Sequence, residues 1–245
     1  MLLALIGDVH GHFDVLDAML RRARDEHGIE AAVQVGDFGF YEDRLPARPP
    51  FHFPVPVYAV CGNHEDHAYL ERARREGLPA RWAEANLFYQ PRASVVRLPG
   101  VGIGFIGGAL HMNQPQRRHG GNVITPDQAD RAAALFAVEQ PDLIVSHSCP
   151  AGIGIGMQST PEMAWGVVEH VLLAGYDPGP HHDCGEAQLT RLWTHLARRP
   201  RLWCFGHFHQ SRQIQVGETH FLCLPRVSPA HLPTLWDSSR GILPG

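Results

Sequence analysis

Short apolar runs that end abruptly at a glycine alternate with amphipathic stretches in the first third of the chain. Leu2–Ile6 is a continuous apolar run, which is typical of a strand covered on both faces, and residues 31–35 and 57–61 have the same form. Residues 13–23 carry apolar side chains at helical spacing, and residues 65–75 have the charge-rich pattern of an exposed helix. This order of strand, helix, strand, strand, helix predicts an α/β sheet with crossover connections.

The rest of the chain adds hairpins and further helices. Ser94–Leu98 and residues 102–106, joined across Pro99-Gly100, predict a hairpin, because proline and glycine favour tight turns. Thr125, followed by Pro126 and Gln128, predicts a capped helix start. The remaining predicted elements are strands at Leu143–Ser146 and Leu202–Phe205, a hairpin of residues 213–216 and 219–224, and helices at residues 160–172 and 189–196.

The composition is that of an ordinary globular chain, with 245 residues, 44% apolar side chains, 19% charged side chains and a formal net charge of −4. We therefore expect a single domain, no membrane-spanning segment and no signal peptide. Mild acidity gives little basis for gripping duplex nucleic acid, so nucleic acid is expected only as a substrate. All 21 basic side chains are arginines, which excludes a Schiff-base lysine and a P-loop.

Cysteine and histidine usage narrows the class of protein further. The five cysteines are widely spaced and form no C-x-x-C motif, which favours a reducing cytoplasm over a disulfide framework or a zinc knuckle. The 17 histidines are more than three times as numerous as the tyrosines, and many of them lie where a predicted strand ends. This excess calls for an explanation beyond general polarity, and the positions of the histidines decide which one applies.

Five segments place potential metal ligands directly after predicted strands. They are Gly7-Asp8-Val9-His10-Gly11, Gly36-Asp37, Gly62-Asn63-His64-Glu65, Ser146-His147 and Gly206-His207-Phe208-His209. In an α/β sheet such strand ends meet at one edge, so these segments predict one shared site. The glycines allow a sharp turn and leave room for an ion. A single Asp or His would be a capping or core residue, but five matched segments favour a site.

In this order the motifs resemble the calcineurin-like metallophosphoesterase superfamily, and the resemblance extends from Asp8 to His209. It implies an α/β fold that is a β-sandwich of mixed sheets flanked by helices. It also implies one phosphoesterase domain over residues 1–245, with a core of about residues 1–225 and a C-terminal tail at residues 226–245.

The resemblance also implies two divalent cations, with Asp37 bridging them. One cation would be held by Asp8, His10, Asp37 and His209, and the other by Asp37, Asn63, His147 and His207. Nitrogen and oxygen ligands without thiolate suit manganese, our first expectation, with iron or zinc as alternatives. A shared carboxylate offsets the repulsion between cations roughly 3.5–4 Å apart.

The implied activity is hydrolysis of a phosphomonoester or phosphodiester. The cations would lower the pKa of a bridging water, and the resulting hydroxide would attack phosphorus. His64 resembles the family's histidine that is not a ligand, contacts the phosphate and protonates the leaving oxygen. A helix-start cap is the less favoured role for this residue.

Three further activities are compatible with the sequence. The Ser/Thr protein phosphatases continue their second motif as G-D-x-V-D-R-G, whereas this chain continues as Phe38-Gly39-Phe40-Tyr41, which makes that activity a weaker candidate. The second is dinucleoside polyphosphate hydrolysis, and the third is a non-enzymatic, metal-binding regulatory role on the same fold. Substrate contacts are assigned only as candidates, at Arg44, Arg117 and Arg118.

The remaining histidine-rich or glycine-rich motifs have ordinary interpretations. The G-x-G-x-x-G match at residues 102–107 lies within an apolar run and is interpreted as a strand. The spacing of His64-Glu65-Asp66-His67 is one residue too short for a zincin. His12, His111 and His119 are equally consistent with the site rim and the surface, and His181-His182-Asp183-Cys184 is interpreted as a loop that leads into a helix.

Overall fold

Two β-sheets stacked face to face make up the centre of the molecule. The computed structural model describes residues 1–111, 121–156, 171–173, 175 and 183–243. The first sheet contains β1 (Leu2–Ile6), β2 (Ala31–Gln34), β3 (Val57–Ala59), β4 (Leu87–Tyr89), β11 (Thr234–Asp237) and β12 (Gly241–Ile242). The second contains β5 (Ser94–Leu98), β6 (Val101–Ile106), β7 (Leu143–Ser146), β8 (Leu202–Phe205), β9 (Arg212–Val216) and β10 (Thr219–Cys223).

Both sheets are mixed. The order of strands is β12-β11-β1-β2-β3-β4 in the first sheet and β5-β6-β7-β8-β10-β9 in the second. Strands β1 to β4 run parallel, as do β6, β7, β8 and β10, while β5, β9 and β11 pair antiparallel with their neighbours. The parallel sets bring the carboxyl ends of the strands, and the residues that follow them, to the same edge.

Helices cover the outer faces of the sheets. They are α1 (Phe13–His27), α2 (His67–Arg75), α3 (Leu78–Ala83), α4 (Pro126–Glu139) and α5 (Ala187–His195). Helix α1 ends at Gly28, whose φ of 71° lets its N–H bond to the carbonyl of Arg24. Helix α4 begins with the reciprocal capping box of Thr125 and Gln128. Among the described residues, none of the helices combines the length and the apolar character that a membrane crossing requires.

Three apolar clusters correspond to the layers. The central cluster lies between the sheets and joins side chains such as Leu5 and Val33 from the first sheet to Phe105 and Val145 from the second. The outer clusters pack α1 to α3 on the first sheet and α4 and α5 on the second. The predicted α/β fold, a sandwich of mixed sheets flanked by helices in a single domain, is therefore confirmed.

The structure differs from the expectation of a C-terminal tail at residues 226–245. Strand β11 pairs antiparallel with β1, in register from Leu2 opposite Asp237 to Leu5 opposite Thr234, and β12 extends the sheet. Strand β11 has only four residues and follows a proline, so its apolar and polar positions alternate too little to predict a strand. It forms because the edge of β1 is free to pair with it. Helix α3 and strand β4 were not predicted either, because α3 has only 6 residues and β4 only 3. The helix predicted at residues 160–172 lies almost wholly outside the described residues.

Candidate active site

The seven predicted ligand residues lie together, although they come from both sheets. Asp8 follows β1, Asp37 follows β2 and Asn63 follows β3, whereas His147 follows β7 and His207 and His209 follow β8. A continuous chain of short distances between side chains runs through six of them, in the order Asn63, His147, Asp37, His10, His209, Asp8. The ring of His207 lies 5.0 Å from that of His147, between centroids.

Asp8, His10 and His209 form one compact group of potential ligands, whose donor atoms lie within 4.8 Å of one another. Oδ2 of Asp8 lies 3.0 Å from Nε2 of His209 and 3.9 Å from Nε2 of His10. The two Nε2 atoms are 3.2 Å apart. Burial lowers the pKa of His10, which favours the neutral imidazole that a metal ion needs. The group offers one carboxylate and two imidazoles.

Asp8, Asp37 and His147 form a second group within the same 4.8 Å limit. Asp8 is thus common to both groups of three, whereas the sequence predicts Asp37 as the shared ligand. Asp37 nevertheless reaches the first group as well, because its Oδ2 lies 4.0 Å from Nδ1 of His10. Both carboxylates are buried, so two negative charges share a poorly hydrated site. Such a pair calls for positive charge nearby.

His147 is held in a defined orientation. Its Nδ1 lies 2.9 Å from the carbonyl oxygen of Val35, and its Nε2 lies 3.0 Å from Oδ1 of Asn63 and 3.4 Å from Oδ1 of Asp37. Burial alone would lower the pKa of His147, but the charge of Asp37 outweighs burial and raises this pKa to about 10. The same pairing overcomes burial at Asp37 and holds its pKa below the usual range. A cation at Nε2 would replace the proton in this pair.

Among the described residues, His207 is the one whose surroundings fit a metal ion most clearly. Its Nε2 atom is buried and has no hydrogen-bond partner there. Its backbone N–H donates to Oδ1 of Asp8 over 3.1 Å. Burial lowers the pKa of His207 well below its usual value, so the ring is neutral and offers a lone pair. Buried polar atoms are rarely left unpaired, and the residues present therefore fit a divalent metal.

Backbone strain is concentrated at this site. His10, Asp37, His207 and His209 have φ angles of 51°, 52°, 67° and 54°. Residues with a Cβ atom adopt this left-handed conformation at a cost of about 1–3 kcal/mol when the surroundings impose it. Strain of this kind clusters at functional sites, where it directs side chains toward one another.

Three of the predicted glycines are required by close packing within the site. A Cβ atom at Gly62 would lie 2.1 Å from Oδ1 of Asp37, and one at Gly206 would lie 2.0 Å from Oδ1 of Asp8. At Gly36 it would meet Nδ1 of His147 at 2.5 Å. Glycine is required at position 7 for a different reason, because a Cβ atom on Gly7 would collide with the carbonyl of Pro225 in the C-terminal segment.

His64 lies beside the potential ligands but belongs to neither group of three. Its backbone N–H donates to Oδ1 of Asp37 over 2.7 Å, and its carbonyl accepts from the Tyr41 hydroxyl over 2.8 Å. Its exposed ring packs edge-on against His111, with centroids 4.4 Å apart, and lies 5.8 Å from the ring of His10. This position is accessible to solvent and to a ligand.

Glu65 is an important residue that the sequence did not reveal. Its buried carboxylate accepts hydrogen bonds from the backbone N–H groups of Phe38, Gly39 and Phe40, over 2.8, 3.1 and 2.7 Å. It thereby ties the loop after Asp37 to the loop that carries His64. Burial and the charge of Asp37 raise the pKa of Glu65 in spite of these donors. The motif contained this residue, but only the coordinates reveal its role as a clamp.

Arg44 and Arg226 are cationic side chains that contact the loop after β1. Nη1 of Arg44 donates to the carbonyl of His10 over 2.9 Å. Nη2 of Arg226 lies 3.3 Å from Nε2 of His12, and the next residue donates its N–H to the carbonyl of Asp8. The sequence did not indicate Arg226. The candidates Arg117 and Arg118 lie outside the described residues, as do His119, His181 and His182.

Asp183 and Cys184 have structural roles in the loop before α5. The buried carboxylate of Asp183 accepts from the N–H groups of Gly152, Gly154 and Gly185, over 2.7, 3.1 and 3.1 Å. Cys184 is buried in the apolar cluster that packs on the second sheet. These residues therefore organise the loop before α5.

The family model for calcineurin-like phosphoesterases matches residues 1–211 of the chain. The chain belongs to this family. It is also 27% identical over 206 residues to the lariat debranching enzyme of Schizosaccharomyces pombe. The aligned region covers 78% of this chain and 40% of the relative. The chain thus spans less than half the length of that curated relative.

Solved structures share the fold at low sequence identity. The protein TT1561 of Thermus thermophilus superposes with a TM-score of 0.57 at 13% identity, covering 100% of this chain and 97% of the other. A putative 5′-nucleotidase from Staphylococcus aureus gives 0.51 at 12% identity, covering 98% of this chain and 52% of the other. These similarities support the fold assignment alone.

Proposed function

We propose that this protein hydrolyses a phosphomonoester or phosphodiester at a centre of two divalent cations. Membership in the phosphoesterase family already indicates a hydrolase that acts on a phosphate ester. The observation that carries the finer proposal is the meeting of two groups of three ligands, which share Asp8 and are both contacted by Asp37, with the unpaired Nε2 of His207 beside them. An isolated structural network would pair that nitrogen.

The proposed ligands divide between the two cations as follows. One cation is assigned to Asp8, His10, Asp37 and His209, and the other to Asp37, Asn63, His147 and His207. Manganese is the proposed metal, with iron or zinc as alternatives, because the donor set is nitrogen and oxygen without thiolate. When bound, the pair supplies an ionised water as nucleophile at neutral pH and neutralises charge on the phosphoryl oxygens.

The chain's own groups supply orientation and a proton. Asp37 accepts the N–H of His64 while its carboxylate faces the ligand group, so one side chain links the centre to the proposed acid. Tyr41 and Glu65 hold the same loop from the other side. We assign to the His64 imidazole the donation of a proton to the leaving oxygen. Arg44 is the proposed cationic contact for the phosphate.

A protein phosphatase activity is the weaker candidate. In this chain the positions after Asp37 hold Phe38 and Phe40, which are fully buried, and Glu65 fixes their backbone. They cannot present the acidic and arginine side chains that the protein phosphatases have there. Smaller phosphate esters and nucleotides are the preferred substrates. The name of the fission-yeast relative adds a lariat to the substrates worth assaying.

A reducing compartment such as the cytoplasm is part of the proposal. None of the five cysteines, all within the described part of the chain, is in a disulfide. Burial raises the pKa values of Cys149, Cys204 and Cys223, which keeps their thiols protonated and unreactive. These three thiols are therefore packing groups.

A substrate panel on metal-reconstituted protein tests the proposed activity. The panel contains p-nitrophenyl phosphate, bis-p-nitrophenyl phosphate, dinucleoside polyphosphates, a lariat and phosphopeptides, each with and without Mn²⁺. We expect metal-stimulated turnover of a monoester or diester and none of the phosphopeptides. Tight metal binding without turnover of any ester would instead favour a regulatory role.

A further inference from the structure

A cavity of about 410 Å³ borders the loop that carries Asn63 and His64. Cys61 and His67, which flank that loop in sequence, both line the cavity. The other walls come from α2, from the end of β4 and the segment after it, and from the first half of α4, through Arg74, Tyr89, Arg92 and Arg131. Its volume is in the range of small-ligand pockets.

The lining is cationic in a chain whose formal net charge is −4. Three arginines face one carboxylate, that of Glu71. Within the described residues, no carboxylate lies within 4.0 Å of Arg74, and Arg131 has only a long, exposed contact of 3.9 Å with Asp127. Their charges are therefore available to a ligand.

Arg92 adds a positive charge that no carboxylate neutralises among the described residues. Its Nη1 donates to the carbonyl of Val123 and to Gln128, and its Nη2 donates to the carbonyls of Gly121 and Asn122. These acceptors are neutral, so the guanidinium keeps its full charge at the cavity wall. Its Nε is buried and lacks a hydrogen-bond partner in the described part of the chain.

His67 supplies a second unpaired polar atom. Its Nε2 is buried and has no partner among the described residues. Burial, together with the charge of Arg92, lowers the pKa of this residue to about 4, so the ring is neutral. A neutral imidazole adds no charge to the wall, so the attraction for an anion comes from the three arginines and from the unpaired Nε of Arg92.

We propose that this cavity binds a phosphate monoester dianion, separately from the metal centre. Arg74 and Arg131 would contact it directly, while Arg92 would stabilise it through charge. Two kinds of ligand present this dianion. One is a substrate with a second phosphate that is not cleaved, and the other is a free phosphate. Assigning it to the substrate rests on the proposed function, whereas binding of the anion does not.

The first experiment counts inorganic phosphate bound per Mn²⁺-loaded protein by equilibrium dialysis. We expect two, one at the metal centre and one in the cavity. The variant Arg74→Gln with Arg131→Gln should weaken the cavity phosphate by about tenfold or more, because it removes both direct charge-assisted contacts. Arg75→Gln with Arg81→Gln, which removes two exposed arginines that do not line the cavity, should still bind two.

The Asp37→Asn variant distinguishes the two bound phosphates, because the protein should lose the phosphate at the metal centre and keep the phosphate in the cavity. The proposal is overturned if the wild type binds a single phosphate that only Asp37→Asn removes. It is also overturned if the Arg74 and Arg131 variant still binds two.

A kinetic arm distinguishes the two sources. In the Arg74 and Arg131 variant, a KM raised about tenfold for adenosine 3′,5′-bisphosphate, with an unchanged KM for the 5′-monophosphate, assigns the cavity to the substrate. Unchanged KM values beside a lost cavity phosphate assign it to a free phosphate. Absence of turnover in every variant would count against the proposed function, and the binding count would still decide on the cavity.

Discussion

Nε2 of His209 lies 3.0 Å from Oδ2 of Asp8, although 201 residues separate them along the chain. One side chain follows a strand of the first sheet and the other follows a strand of the second. The candidate site is therefore built across the seam between the two sheets. Its geometry depends on how the sheets pack, so mutations in the central apolar cluster should affect the site at a distance.

Asp37→Asn and His64→Asn should have different effects. Asp37 contacts both groups of ligands, so its amide variant should lose metal from both positions and nearly all turnover. His64 contacts Asp37 through its backbone N–H, which asparagine keeps, and its ring is in neither group of three ligands, so its variant should keep both cations while kcat falls by about 10²–10⁴-fold. Metal content and steady-state kinetics of the purified variants measure the two effects.

Equal loss of metal in both variants would contradict these roles. His52→Asn is a suitable control for the purification, because this histidine lies in the loop before β3 and outside the ligand groups. It should leave both metal content and kcat unchanged.

Metal binding should release a proton and strengthen with pH. In the metal-free protein Asp37 raises the pKa of His147 to about 10, so Nε2 is protonated at neutral pH and a cation must displace that proton. Apparent affinity should therefore rise by about tenfold per pH unit between roughly pH 7 and 9, then level off above the pKa. Calorimetry in buffers of different ionisation enthalpy counts the protons, and a count of zero would contradict the role of His147.

Metal-free protein should also lose stability as the pH rises. A group whose pKa is higher in the folded state than in the unfolded state stabilises fully below the unfolded value, about 6.5 for histidine. For His147 this contribution should disappear as the pH approaches about 10. Thermal unfolding of chelator-treated protein at pH 6, 8 and 10 measures it. With metal bound the same dependence should be much weaker, because the proton is already displaced.

Glu65→Gln should destabilise the fold near the site. The amide keeps one acceptor oxygen, so at least one of the four backbone N–H groups that now donate to Glu65 is left buried without a partner. We expect a loss of about 1–3 kcal/mol in urea unfolding. Glu84→Gln, at an exposed helix end, is the matched control and should change stability by less than about 0.5 kcal/mol. Equal effects in the two variants would contradict the clamp.

Gly62→Ala should impair the site without a comparable effect on the rest of the fold. The added Cβ would lie 2.1 Å from Oδ1 of Asp37, so the carboxylate must move and metal affinity should fall at least tenfold. Gly28→Ala has open space around the new Cβ but requires φ near 71°. It should cost about 1 kcal/mol of stability and leave metal affinity intact. Unchanged metal affinity in Gly62→Ala would show that Asp37 tolerates displacement.

Sequence alone was sufficient for the parts of the fold that local pattern determines. The buried run Leu2–Ile6 and the Thr125 capping box have the bounds that apolar periodicity and cap chemistry indicated. The glycines before Asp37, Asn63 and His207 were also informative, because their lack of a side chain answers a local steric demand. These signals led to the strands that precede the site, although β2 and β3 end at Gln34 and Ala59, one and two residues before their predicted ends.

Features that depend on distant partners could not be predicted. Strand β11 exists because β1 offers an unpaired edge, and the clamp of Glu65 depends on backbone donors 25 to 27 residues away. The sharing of Asp8 between the two ligand groups depends on interatomic distances that no motif encodes. The cationic cavity brings residues of α2 and α4 together across the fold, so no run of sequence announced it.

Anomalous diffraction from crystals soaked in Mn²⁺ tests the proposed two-metal centre most directly. We expect two peaks roughly 3.5–4 Å apart, one near Asp8, His10 and His209 and the other near Asn63, His147 and His207, with Asp37 between them. A single peak, or none at these residues, would contradict a dinuclear centre.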